Sequence, residues 1–213
     1  MKYILAFAIL VWVGQKAPAQ APIVQGIDTL TYSVTLCLRL PNAAKPQRVY
    51  YKGETGHVYL RLTKTNTGTR QSEQVIWGFY PQSPVSSFFF KKVRSKLVSN
   101  MKDSLRLGLL IPIDSAQYYL LCARALAAGQ KKYNLNRYNC YHYALELINE
   151  VCPQPIPVRS IRFPFLAGRG GSPVALYADL LQLMQSPAMQ ACTLIQPLRT
   201  APAAHLSQAF LLH

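Results

Sequence analysis

Residues Tyr133 to Val151 read YNLNRYNCYHYALELINEV. Tyr143, Ala144, Leu147, Ile148 and Val151 recur at helical spacing, which predicts an amphipathic helix with one apolar stripe on a core. Asn139 is suited to cap its start, because a side-chain oxygen there can take one of the free amide N–H groups. Pro153, Pro155 and Pro157 cannot continue a helix, so it should stop near Cys152. Cys140 then falls in the first turn. The positive end of the helix dipole is expected to lower its pKa and raise its thiolate fraction.

Upstream, the period changes to two. Leu30, Tyr32, Val34, Leu36, Leu38 and Leu40 alternate with Thr31, Ser33, Thr35, Cys37 and Arg39, the pattern of a half-buried strand. A basic loop follows, with a turn at Lys52-Gly53. GHVYLRLT is a second strand with Val58, Leu60 and Leu62 inward and His57 at its start on the opposite face. KTNTGTRQSE is read as a polar hairpin loop, and QVIWGFYP as the returning strand. Residues 84–104 suit either a basic edge strand or a flap beside the site. LRLGLLIPI predicts a further strand, and Asp114 to Gln117 a capping box. The helix behind that box has Tyr118, Leu121, Cys122, Ala125 and Leu126 on one stripe and Gly129 as its C-terminal cap. Beyond Pro153 the chain is rich in proline, with Gly168, Gly170 and Gly171 expected in a mobile turn and a helix over Ala175 to Met184. Together these elements predict an α+β fold, an antiparallel sheet packed against helices, in one domain over residues 20–200.

The ends are read differently. Met1-Lys2, the apolar run Tyr3 to Val13 and the small-x-small site Ala17-Pro18-Ala19 have the layout of a signal peptide over residues 1–19. The run is too short to span a bilayer. Export to the periplasm or medium is therefore expected, without a transmembrane segment in the mature chain. Residues 201–213 form an Ala-containing tail expected to be loose. The 213 residues carry a formal charge of +15, which favours anionic partners. The basic residues are scattered and no nucleic-acid-binding motif accompanies them, so a specific nucleic-acid partner is not expected.

A cysteine hydrolase needs a nucleophile, a base and a group that orients the base. Cys140 and His57 are the candidate pair, and they can meet only through tertiary structure. GHVYLRL, WGFYP and NCYHYAL, in that order, resemble circularly permuted papain-like proteins. That set includes the lecithin–retinol acyltransferase-like group and relatives of NlpC-type cell-wall peptidases. The resemblance runs from about Leu30 to Val151. It rests on Gly56-His57 opening a strand, Asn139-Cys140 opening a helix, and an NCxHF-like string matched by Cys140, His142 and Tyr143. It implies Cys140 as nucleophile, His57 as base and no cofactor. Relatives usually place a polar residue, often histidine, on the following strand. Here that strand has no histidine, which leaves Gln74 as the candidate orienter, with Tyr80 behind it.

Trp77, Tyr80, Asn139 and His142 are the candidate substrate contacts. Trp77 and Tyr80 equally suit a core or groove lining. His142 lies about 200° round the helix from Cys140, which suits a capping or exposed role better than a second base. No cysteine and histidine spacing resembles a zinc site. With Cys140 set aside, Cys37, Cys122, Cys152 and Cys192 allow two disulfides in three connectivities.

The expected function is an exported thiol-dependent hydrolase or acyltransferase acting on an amide or ester, with peptidoglycan peptides as the natural substrate. The alternative is a catalytically silent domain of the same fold that holds an anionic envelope polymer on its basic surface. A lipid acyltransferase-like role is a third possibility, and a buried structural Cys140 is the plain reading of that thiol.

Overall fold

The computed structural model describes residues 29–42, 44–89, 92–99, 105–163 and 168–196. The expected signal peptide and C-terminal tail lie outside them. The order of elements is β1 (Leu30–Arg39), β2 (His57–Asn66), β3 (Ser72–Pro81), α1 (Pro84–Phe89), β4 (Ser95–Val98), β5 (Leu107–Ile113), α2 (Ser115–Ala128), α3 (Cys140–Ile148), β6 (Ile161–Arg162), β7 (Arg169–Gly170), α4 (Pro173–Leu183) and β8 (Thr193–Ile195). β4, β3, β2, β1, β5 and β8 lie side by side in one six-stranded sheet in which every pairing is antiparallel. The fold is α+β.

Strand alternation sets the two faces of this sheet. Val34, Leu36 and Leu38 of β1 stand opposite Leu62, Leu60 and Val58 of β2. Trp77 continues the Leu60 row into β3. These side chains form the core with Leu107, Leu109 and Ile111 of β5 and the inner faces of α2, α3 and α4. Fully burying one leucine-sized side chain contributes about 1.5–3 kcal/mol, so this continuous layer is what holds the helices to the sheet. α3 packs mainly on β2. Its Tyr143 ring stacks on Phe79 at 5.0 Å, and the Tyr143 hydroxyl donates to the Ala125 carbonyl of α2.

Several boundaries move from their sequence-based positions. β2 and β3 extend into the expected hairpin loop, leaving only residues 67–71 to turn. α3 runs through Ile148 and turns carry the chain on to Cys152, whose N–H bonds the Ile148 carbonyl; at this end the Asn149 side chain clasps Ile156, donating to its carbonyl and accepting from its N–H. α2 keeps its Asp114–Gln117 capping box, yet Leu126, expected on the buried stripe, is exposed and Ala128 is buried instead. The glycine turn expected to be mobile is packed: Gly170 and Gly171 are buried, and a Cβ on Gly171 would collide with the Tyr141 ring. Residues 84–104 hold both a short helix, α1, and an edge strand, β4.

No helix among the described residues is long and apolar enough to cross a membrane. Among them Cys37, Cys122, Cys140, Cys152 and Cys192 are all free thiols, so neither of the two possible disulfides is formed.

Candidate active site

His57 opens β2 and Cys140 opens α3. The chain reaches His57 through Gly56 at φ +80°, a left-handed conformation that glycine adopts without steric cost. A Cβ at Gly56 would stand 2.5 Å from the Arg39 carbonyl oxygen and 2.9 Å from Pro41 Cδ. The tight approach fixes the strand start beside the end of β1, where Arg39 pairs with His57.

Asn139 fixes the start of α3. Its side-chain oxygen accepts from the N–H groups of Tyr141 and His142. Its amide donates to the carbonyls of Leu135 and Gly171 at 2.9 and 3.0 Å. Because the amide protons are committed to those carbonyls, the oxygen must be the acceptor in its 2.9 Å contact with His142 Nδ1. That places the His142 proton on Nδ1. The competing 3.4 Å approach of the Asn139 N–H to the same nitrogen is longer and needs the opposite tautomer, so the shorter contact is the one retained. His142 is thus a cap residue of α3, and burial lowers its pKa.

Cys140 and His57 both line a cleft of about 160 Å³, shared with Tyr80, Arg39, Tyr133 and Phe163. A cavity of about 150 Å³ takes a benzene-sized group, so the space accepts one small moiety, not a folded chain. Pro84 and Ser87 of α1 form part of its wall, which puts the start of the 84–104 segment beside the site. Cys140 is 8% and His57 4% exposed. His57 Nε2 is buried and has no hydrogen-bond partner.

Burial dominates the electrostatics. It pushes the Cys140 thiol up to about 11, against the lowering influence of the Val58, Tyr141 and Cys140 backbone N–H groups and of the Arg39 charge. It pushes His57 down to about 3, with Arg39 acting in the same direction. The expectation of a dipole-lowered thiol is therefore reversed. The helix start supplies the expected amide donors, but desolvation of a thiolate outweighs them. At neutral pH the pair stands as thiol and neutral imidazole.

The other candidates separate. The Tyr80 ring stacks on His57 at 4.1 Å and 19° and holds the imidazole from the neighbouring strand. Gln74 is exposed and pairs with Thr63. It lies six residues along β3 from Tyr80, about 20 Å at roughly 3.3 Å per residue, so it does not reach His57. Trp77 points to the opposite sheet face, packed in the core. Asn139 lines the cleft, but its polar atoms are used in holding α3 to its neighbours. Arg39 was not among the sequence candidates. Alternation places it on the polar face, but only cross-strand register puts it opposite His57.

Among the described residues no cluster of three or more His, Cys, Asp or Glu side chains is placed to hold a metal ion. Comparison with protein-family models, with curated proteins and with solved structures returns no match.

Proposed function

We propose that the protein is a thiol-dependent hydrolase or acyltransferase on a circularly permuted papain-like scaffold, with Cys140 as nucleophile and His57 as base. The observation that carries this reading is one cleft lined by both the thiol and a buried imidazole whose Nε2 has no partner. The order of the elements, a histidine-opened strand preceding a cysteine-opened helix packed on an antiparallel sheet, supports the scaffold.

The neutral resting pair implies general-base rather than ion-pair chemistry. As Sγ bonds to the substrate carbonyl carbon, its proton passes to His57 Nε2. The developing oxyanion is stabilised by backbone N–H groups at the α3 start. The proton then goes to the leaving amine or alcohol, and water or a second acceptor takes the acyl group from sulfur. Export, and a charge of 15 − 2 = +13 once residues 1–19 with Lys2 and Lys16 are removed, favour an amide in peptidoglycan peptides or another anionic envelope polymer as substrate.

The test is incubation with a small p-nitrophenyl ester, followed by intact mass and peptide mapping. The expected result is an acyl adduct on Cys140, absent in Cys140→Ala and formed about 10²-fold or more slowly in His57→Ala. A folded wild-type chain that neither acylates at Cys140 nor releases p-nitrophenol would overturn the proposal.

A second reading is favoured by the neutral pair and by an aromatic, uncharged neighbour on the imidazole. In it the domain is catalytically silent and holds an anionic polymer. Polymer binding that weakens with salt and is indifferent to Cys140→Ala, with no acyl adduct, is its signature.

A further inference from the structure

We infer that the cleft selects acyl substrates carrying a negative charge next to the reacting carbonyl, and that Arg39 is the specificity-determining residue. The inference rests on the cleft being the substrate site proposed above.

Among the described residues lining the cleft, Arg39 carries the only permanent charge, and no carboxylate lines it. The remaining wall is aromatic rings, prolines and small polar groups, which do not offset a cation. Register puts Arg39 directly across from His57, and its charge is felt at both His57 and Cys140. A group small enough for about 160 Å³ and in contact with Cys140 is therefore within electrostatic reach of the guanidinium.

Glu54, one partner of Arg39, is a weak competitor. Glu54 Oε2 stands 3.8 Å from Nη1, and its side chain is 53% exposed. Long, solvated ion pairs of this kind contribute about 0–1 kcal/mol. A substrate carboxylate entering the drier cleft would interact more strongly with the same guanidinium, and guanidinium geometry suits two-point recognition of a carboxylate. The same cation disfavours a second positive charge, which is why it depresses His57 while favouring a thiolate. An anionic substrate offsets that penalty as the imidazole takes the proton.

Two thiol reagents of nearly equal size separate the charge effect from access. Iodoacetate and iodoacetamide both alkylate sulfur with loss of iodide and differ in one negative charge. Their rates at Cys140 would be compared by peptide mapping at about pH 9.5, where the raised thiol is measurable, with glutathione as the free-thiol reference. The expected result is an iodoacetate-to-iodoacetamide ratio about tenfold above the reference. The ratio should fall to the reference in Arg39→Gln, be largely kept in Arg39→Lys and rise in Glu54→Gln. Glu54 lies at the surface, so Glu54→Gln gives a readout even if Arg39→Gln does not fold. Ratios in Arg39→Gln or Glu54→Gln equal to wild type would overturn the inference, as would a wild-type Cys140 that neither reagent reaches. An Arg39-dependent ratio without ester turnover keeps the anion site and removes the enzyme. Turnover without such a ratio removes the anion site and keeps the enzyme.

Discussion

Cys140 sits at a helix start that should acidify it, yet burial raises it to about 11. The magnitudes explain the outcome. A helix terminus is worth about 0.3–1 kcal/mol, up to about 2 in partly buried sites, whereas moving the thiol from 9.0 to about 11 corresponds to about 2.7 kcal/mol net. The thiolate fraction at pH 7 is then on the order of 10⁻⁴, against a few per cent for a free thiol. Iodoacetamide should label Cys140 roughly 10²-fold more slowly than glutathione at pH 7, and the rate should climb about tenfold per pH unit until near pH 11. A plateau below pH 8 would contradict this. Tyr80 gives a second prediction. Its ring, not its hydroxyl, stacks on His57, so Tyr80→Phe should keep most of the Cys140 acylation rate. Tyr80→Leu should lose between tenfold and about 10²-fold, the scale of a misplaced catalytic group, and equal loss in both variants would rule out stacking as the cause. The cleft residues Cys140 and His57 were legible because local patterns mark a helix start and a strand start. Arg39 was not, and Tyr80 stood second to Gln74, because both depend on which residues face each other across strands. Alternation gives the face of a residue but not its cross-strand partner.

At the scale of the element, the first turn of α3 is held more firmly than an ordinary cap would hold it. Asn139 is 3% exposed and joins the helix N-terminus to Leu135 and Gly171 as well. Removing a cap costs about 1 kcal/mol, and two carbonyls losing a donor add a comparable amount. Asn139→Ala should therefore destabilise by about 2–3 kcal/mol in urea unfolding. Asn139→Asp keeps the cap oxygen but turns its second oxygen toward the two carbonyls that the amide bonded, in a site only 3% exposed, so repulsion and desolvation outweigh the favourable helix start and it should lose at least as much. A clearly smaller loss in Asn139→Asp would show that the two donated bonds are irrelevant. Long patterned elements were readable from sequence: β1, β2, β3, β5, α2 and α3 each carry a strict period or a cap. The missed elements lack room for one. β8 has three residues, β6 and β7 two each, and α1 six with no acidic residue in its first turn. The clasp of Asn149 on Ile156 at the end of α3 was illegible because it is a tertiary contact.

Across the whole molecule, the groups buried in uncharged form set the pH range of stability. His57 has its folded pKa lowered from 6.5 to about 3. The unfolded chain therefore binds a proton between those values that the folded chain refuses. The contribution of burying neutral His57 is fully present above pH 6.5 and is lost as pH falls through the window toward 3. At the other end, the unfolded chain ionises Cys140 and Cys37 near 9.0, while the folded chain holds both thiols to about 11 and about 12. Their contribution is lost as pH rises above about 9. Stability should form a plateau between about pH 6.5 and 9, falling on both sides. The acid limb separates by cause. Glu146 is lowered, chiefly by its bonds to Lys131 and Tyr138 acting against burial, so it loses its contribution only below about 4.5. Between pH 6.5 and 4.5 the groups lowered from 6.5 are His57 and His142, whose contributions fall with pH, while the Asp179 carboxyl, raised from 3.8 by burial, acts in the opposite sense on the acid side. His57, 4% exposed, should account for about 2 kcal/mol of the loss over those two pH units. Urea unfolding at half-unit steps across this range, in wild type and His57→Gln, measures the difference. The variant should retain only the shallower slope left by His142 and Asp179, and parallel curves for the two proteins would show that His57 is not held neutral in the fold.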